Sequence, residues 1–476
     1  MCGIVGIVDA GGVSFPIYYS LYALQHRGQE SAGISTFDGV KLHKHKAKGL
    51  VSDVFDISLL ESLKGQTGVG HVRYPTTGEK IPENIQPFTF TFRGMSIAIT
   101  HNGNLVNTEQ LKCEYEQKGR IFTTTTDTEV ISNIIADELG ASGSIEDAIL
   151  LCMKRLFGSY STIVMLDDTI YAFRDPLGIK PLCVGKTKNG YVVASESVAI
   201  DALNGTFLRD VRPGELVRIN KEGIQCTQIA VSDRNAHCIF EYIYFARADS
   251  VIDGELVYNV RRRIGQSLYE EKPVDADFVT PVPDSGIAHA IGYSEHSGIP
   301  YREGLIKNRY MGRTFIMPTQ EARENAVRIK LNPIKEYIKD RSVVMVDDSI
   351  VRGTTSRRII DIIKDAGAAE VHIRIGSPPI KAPCYLGVDM PTREELIASD
   401  KNNDEVCKSI GATTLHHVSL EALVKATRIA KENLCLGCLT GTYPLCIENE
   451  KFTKRMIDFV SGSYQSDLVS FEHEEE

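Results

Sequence analysis

Apolar positions follow two rhythms along this chain, and the change comes near residue 240. Before it, short runs rich in β-branched and aromatic residues, at 4–9, 95–100, 160–166 and 191–195, are separated by glycine-containing turns and predict strands. Helices are predicted over 18–25 and 128–139, the latter from Val130, Ile131, Ile134 and Ile135 at helical spacing. This mixture predicts an α+β or layered-sheet domain. Residues 215–219 and the turn 220–223 read as a closing hairpin and the polar run 232–237 as a linker, giving domains of 1–231 and 232–476. Beyond it the order becomes strand, loop, helix, with apolar runs at 278–282, 343–347 and 371–375. Such alternation predicts an α/β domain whose parallel sheet receives ligands at the carboxyl ends of its strands. Gly367 sits where a helix C-cap belongs, and the acidic tail 471–476 is expected to fray.

Composition narrows the class. The 476 residues are too many for one ordinary core. No apolar tract approaches the ~18 residues of a membrane span, and the start lacks a basic head and cleavage site, so the expected location is the cytoplasm. A net charge of -9 argues against a general nucleic-acid partner, though local basic clusters can still hold a phosphate ligand. Eleven cysteines in a cytosolic chain do not read as a disulfide framework.

Cys2 stands out because loss of Met1 would leave it with a free α-amine, a base able to activate the adjacent thiol. Further polar blocks follow: Gln25-His26-Arg27-Gly28-Gln29-Glu30, Gly70-His71-Val72-Arg73-Tyr74-Pro75-Thr76, His101-Asn102-Gly103-Asn104 and Thr126-Asp127-Thr128-Glu129. Singly, Asn102-Gly103 is an ordinary turn pair and Asp127 an ordinary helix cap. Together, in this order, they resemble the N-terminal nucleophile glutamine amidotransferases. The resemblance implies a four-layer αββα domain with Cys2 as nucleophile, Asn102 and Gly103 as the oxyanion hole, and Arg73 and Asp127 holding the carboxylate and amine of glutamine. Some members carry a propeptide before this cysteine, where this sequence has only Met1.

The second anchor runs from Val343 to Ser356. An apolar strand ends in Asp347 and Asp348, and a loop carrying Ser349, Arg352, Gly353, Thr354, Thr355 and Ser356 leads into a helix. Backbone N–H groups and hydroxyls at a helix start suit a phosphate, and the acids suit ribose hydroxyls or Mg²⁺. This block resembles the phosphoribosyl pyrophosphate loop of type I phosphoribosyltransferases. The resemblance makes Val282-Pro283-Asp284-Ser285-Gly286 the pyrophosphate loop and 307–330, opening at Lys307, a flexible loop that closes over the leaving group. Both halves together are similar to the glutamine phosphoribosylpyrophosphate amidotransferase family over nearly the whole chain. That implies transfer of glutamine-derived ammonia to C1 of phosphoribosyl pyrophosphate, the opening step of purine synthesis. An ammonia channel, a homotetramer or homodimer, and feedback inhibition by purine nucleotides come with the resemblance. Gly286 departs from the family pattern, which has serine there, and Ala248 interrupts a Phe-Ala-Arg-Pro-Asp-Ser run.

Cys435 and Cys438 form a CxxC that alone is compatible with redox chemistry, a zinc half-site or chance. One branch of the family binds a [4Fe-4S] cluster, and the contexts of Cys238, Cys384, Cys435 and Cys438 resemble those of its ligands; four thiolates also suit zinc. Cys113, Cys152, Cys183, Cys226, Cys407 and Cys446 read as structural or incidental, and His43 and His45 as members of a solvated charged strand. Two rivals are a sugar-phosphate aminating amidotransferase, disfavoured by residues 347–356, and a regulatory protein that binds phosphoribosyl pyrophosphate without chemistry, disfavoured by Cys2.

Overall fold

The computed structural model describes residues 1–74, 81–308, 331–390, 392–448, 450–459 and 467–468. In the N-terminal half two seven-stranded antiparallel sheets lie face to face. The strand Gly3–Asp9 shows why they stack: Ile4 and Val8 enter the apolar layer between the sheets, while Val5 and Ile7 face the helix Ser14–Ala23 on the outside. The second sheet is covered by Thr108–Gln117, Asp127–Ser142 and Ile145–Arg155, whose Val130, Ile131, Ile134 and Ile135 pack on Ile97, Ile99 and Val164. Helix, sheet, sheet, helix is the expected four-layer order.

The C-terminal half holds a four-stranded parallel sheet in the order Phe278–Pro281, Ser342–Asp347, Glu370–Ile375, Thr414–His417. Val344 and Val346 face the side of Val257–Glu271 and Ile287–Ser297, and Val343 and Met345 face Thr354–Asp365 and Asn403–Ile410. Helices on both faces leave the strand ends as the open edge.

Two expectations change. The first helix begins at Ser14 rather than residue 18, because Pro16 falls in the first turn, where its missing N–H is not needed. The run 232–237 is no free linker: Ala230–Ser232 pairs with Ile457–Phe459, and His237–Cys238 pairs with Leu434–Cys435. The C-terminal chain thus returns to the first domain, where Asp467–Leu468 adds an edge strand to Gly223–Gln228. No described helix is long and apolar enough to cross a membrane.

Candidate active sites

Cys2 immediately precedes Gly3–Asp9, and Arg73 ends the neighbouring strand Thr67–Arg73, with Gly3 paired to Val72. The Cys2 N–H donates to Asn102 Oδ1 at 3.0 Å, and the thiol lies 3.7 Å from the Tyr74 carbonyl. Asn102 is fully buried, and its Nδ2 has no partner among the described residues. Gly103 is sterically fixed, since a Cβ there would lie 2.0 Å from the Ser159 carbonyl oxygen and 2.8 Å from His101 Nε2. Met1 is buried, and burial holds its amine down to about 5. With Met1 attached, the Cys2 nitrogen is a peptide N–H and not a base.

Asp127 opens the helix Asp127–Ser142 and accepts from His101 Nδ1 at 3.1 Å and Leu105 N at 3.3 Å. Burial pushes its carboxyl up, but His101 and the backbone donors outweigh burial and hold it below its ordinary value. Arg73 Nη1 donates to Glu30 Oε2 at 2.9 Å. His71 is held neutral by burial first and by the Arg73 charge second. Pro75 and Thr76 lie outside the described residues.

Sequence reasoning missed the ion network beneath Cys2. Arg27, fully buried, donates through Nε to the Cys2 carbonyl at 2.9 Å, pairs with Glu196, and meets Glu241 at 2.7 and 3.0 Å. Glu196 also accepts from Ser250 Oγ at 2.6 Å and Arg247 N at 3.0 Å, so one buried cluster joins Cys2 to the second domain. Burial alone would raise the Glu196 carboxyl, yet His26 and Arg27 hold it well below the usual carboxylate range. Its stabilising contribution is therefore present above the ordinary carboxylate pKa and lost as pH falls through the folded value. Arg27→Met should destabilise the fold by about 3–5 kcal/mol, because two buried carboxylates lose their cation. A urea midpoint unchanged from wild type would contradict this.

At the second site, Asp347 and Asp348 lie at the carboxyl end of Ser342–Asp347, as expected. Burial first, then the adjacent Asp348, pushes the Asp347 carboxyl well up; burial also raises Asp348, opposed by hydrogen bonds from Ser285 and Ser349 and by the charge of Arg261. Arg261 is buried and fixed on the carbonyls of Tyr242 and Ala246; the sequence shows only that it opens a run of three arginines. Gly353 has φ +76° at the start of Thr354–Asp365, with Thr354 and Thr355 exposed on the first turn and Ser356 turned inward. Arg352 pairs with Glu395. Asp284 pairs with Lys307 across a cavity of about 470 Å³ that Pro283, Ile287 and Asn308 also line. Gly286 has a local reason here: a Cβ would lie 2.4 Å from the Val346 carbonyl oxygen. The basic stretch 309–330 lies outside the described residues.

The four cysteines singled out from their contexts share one neighbourhood. Cys238 and Cys435 are paired in adjacent strands, and Cys438 opens the next turn. Burial first, then the neighbouring thiols, pushes the Cys438 thiol far up. Among the described residues no three Cys, His, Asp or Glu side chains converge closely enough for a single metal ion. All eleven cysteines are free thiols. His43, on the strand Leu42–Lys48, is paired with Asp38 in the preceding turn.

A family model described as a glutamine amidotransferase domain matches residues 71–202. The amidophosphoribosyltransferase of Methanothermobacter thermautotrophicus is 54% identical over 446 residues, 93% of this chain and 94% of that one. That of Archaeoglobus fulgidus is 54% identical over 95% of this chain and 99% of its own. The solved glutamine phosphoribosylpyrophosphate amidotransferase of B. subtilis, complexed with ADP and GMP, superposes with a TM-score of 0.88 at 46% identity, covering 94% of this chain and 98% of that one. At this identity over nearly the whole chain, the chain belongs to the amidophosphoribosyltransferase family, the enzymes of purine biosynthesis that aminate phosphoribosyl pyrophosphate at the expense of glutamine.

Proposed function

We propose that Cys2, once Met1 is removed, attacks the side-chain carboxamide carbon of glutamine through Sγ, with its own α-amine as the base. Arg73 takes the substrate carboxylate and Asp127 its amine. The tetrahedral oxyanion is held by Asn102 Nδ2 and the Gly103 N–H. Collapse expels ammonia with a proton from the Cys2 amine, and water then hydrolyses the thioester to glutamate. The ammonia displaces pyrophosphate from C1 of the ribose, forming the C–N bond of phosphoribosylamine as the C–O bond breaks. The single observation that carries this is the Cys2 N–H on Asn102 Oδ1, with the Asn102 amide nitrogen unpaired among the described residues.

In the acceptor half, Ser349, Gly353, Thr354, Thr355 and Ser356 with Arg352 are proposed to cradle the ribose phosphate, and Asp284, Ser285 and Lys307 the pyrophosphate. Adjacent carboxylates at Asp347 and Asp348 fit ribose hydroxyls and a hard divalent cation, and Mg²⁺ bound there would neutralise charge on the leaving pyrophosphate. Amide-¹⁵N glutamine in excess unlabelled ammonium should give labelled phosphoribosylamine; product carrying only bulk nitrogen would contradict internal transfer.

Cys238, Cys384, Cys435 and Cys438 are proposed as the ligands of a [4Fe-4S] cluster, which would cross-link the second domain to its C-terminal segment. Four thiols in one neighbourhood, with Cys238, Cys384 and Cys435 close enough to act on the Cys438 thiol, support a thiolate-held group there. Anaerobically purified protein should contain iron and acid-labile sulfide in equal amounts, lost in Cys435→Ser; zinc in their place would contradict the assignment. Purine nucleotides are proposed as inhibitors, in keeping with the ADP and GMP in the B. subtilis relative. A homotetramer or homodimer in the cytoplasm completes the proposal.

A further inference from the structure

The strand that carries Asn102 and Gly103 is held from outside its own domain. Met95–Leu105 pairs along one edge with Gly158–Leu166, where Gly103 faces Tyr160 and Asn104 faces Ser159. A loop of the second domain, residues 385–389, lies across this point. Asn104 Nδ2 donates to the Tyr385 carbonyl at 2.8 Å, and Ser159 Oγ donates to the Leu386 carbonyl at 2.8 Å. Tyr74 OH, next to Arg73, donates to Asp389 Oδ2 at 3.1 Å. Between these bonds the two backbones touch. A Cβ on Gly387 would lie 3.0 Å from the Gly103 carbonyl carbon and 3.1 Å from its oxygen.

The loop is itself firmly tied down. Leu386 N donates to Cys384 Sγ at 3.4 Å, Tyr443 OH donates to the Pro383 carbonyl at 2.7 Å, and Tyr385 OH donates to Glu450 at 2.9 Å. Leu386 and Val388 are buried in the core of the second domain. Gly387 has φ +89°, a conformation that lets the backbone approach Gly103 without a side chain. Gly387 meets the Gly103 carbonyl across the domain boundary, so a shift of the loop is passed to that carbonyl and, through the Gly103 Cα, to the adjoining N–H.

We infer that residues 385–389 are a positioning brace: the second domain, through Gly387, sets the Gly103 peptide in the geometry that receives the oxyanion. This rests on the reading of Gly103 as an oxyanion donor. The loop acts through Gly103 and Asn104, with Ser159 and Tyr74 as further anchors. The brace makes the glutamine half dependent on the acceptor half, while the acceptor half does not depend on it.

Gly387→Ala in the full chain tests this. Glutamine-dependent kcat, read as glutamate release, should fall on the order of tenfold to a hundredfold, as for a small misplacement at a reacting centre. KM for glutamine and the ammonia-driven rate of pyrophosphate release should stay at wild-type values, the pattern of an interaction made only in the transition state. An unchanged kcat would overturn the brace. Asn102→Ala runs in parallel: if it too leaves glutamate release intact, the oxyanion assignment fails and the brace with it, whereas a loss confined to Asn102→Ala sinks the brace alone. If Gly387→Ala also loses the ammonia-driven rate, Ser159→Ala, which removes only the hydroxyl on Leu386, should show a smaller fall in kcat with the same split. Equal loss of both activities in that variant would overturn the inference.

Discussion

Cys2→Ala should lose glutamine-dependent synthesis by roughly 10³-fold or more, the scale of removing a nucleophile, and keep synthesis from free ammonia. The split follows from the layout. Cys2 stands just before a strand of the first domain and Asn102 and Gly103 lie on another, while the acids and the phosphate loop close the parallel sheet of the second. Among the described residues, none from the cysteine site lines the cavity beside Asp284 and Lys307. Pyrophosphate release with each nitrogen source separates the outcomes. Full glutamine-dependent activity in the variant would remove Cys2 from the chemistry.

The double change Asp347→Asn with Asp348→Asn should lower synthesis from both nitrogen sources by about 10²-fold or more, since preorganised charge at a reacting centre is worth that much. Burial pushes both carboxyls up, and at Asp347 the adjacent Asp348 adds to it. A pair in that state favours a bound cation or hydroxyl donors over solvent. Neutral amides of the same size keep the shape and lose the charge. Synthesis at the wild-type rate from either source would place these residues outside the acceptor site.

Much of both sites was legible because it is local. Asp347 to Ser356 is one strand–loop–helix unit, so its residues are neighbours in sequence and in space. Cys2 and its polar blocks are far apart in the chain, yet each block is recognisable by itself, and resemblance supplied the assembly. What stayed hidden are contacts between distant residues. Glu196 follows an apolar strand in an unremarkable Ser-Glu-Ser, and nothing local says it will bury itself against Arg27. The strands near the C-terminus are only two or three residues long, too short to read as sheet, and take their place by pairing with strands of the first domain. Gly387 looks like any loop glycine until Gly103 is set against it. The same distance between partners explains Gly286, whose missing side chain is dictated by a carbonyl on the neighbouring strand rather than by its own loop.

The most direct test is the stoichiometry of the coupled reaction. Anaerobically purified protein with a verified N-terminal Cys2, given glutamine, Mg²⁺ and phosphoribosyl pyrophosphate, should release glutamate and pyrophosphate in equal amounts, and neither at full rate when the other substrate is withheld. Glutamate without pyrophosphate, or neither product, would contradict the account.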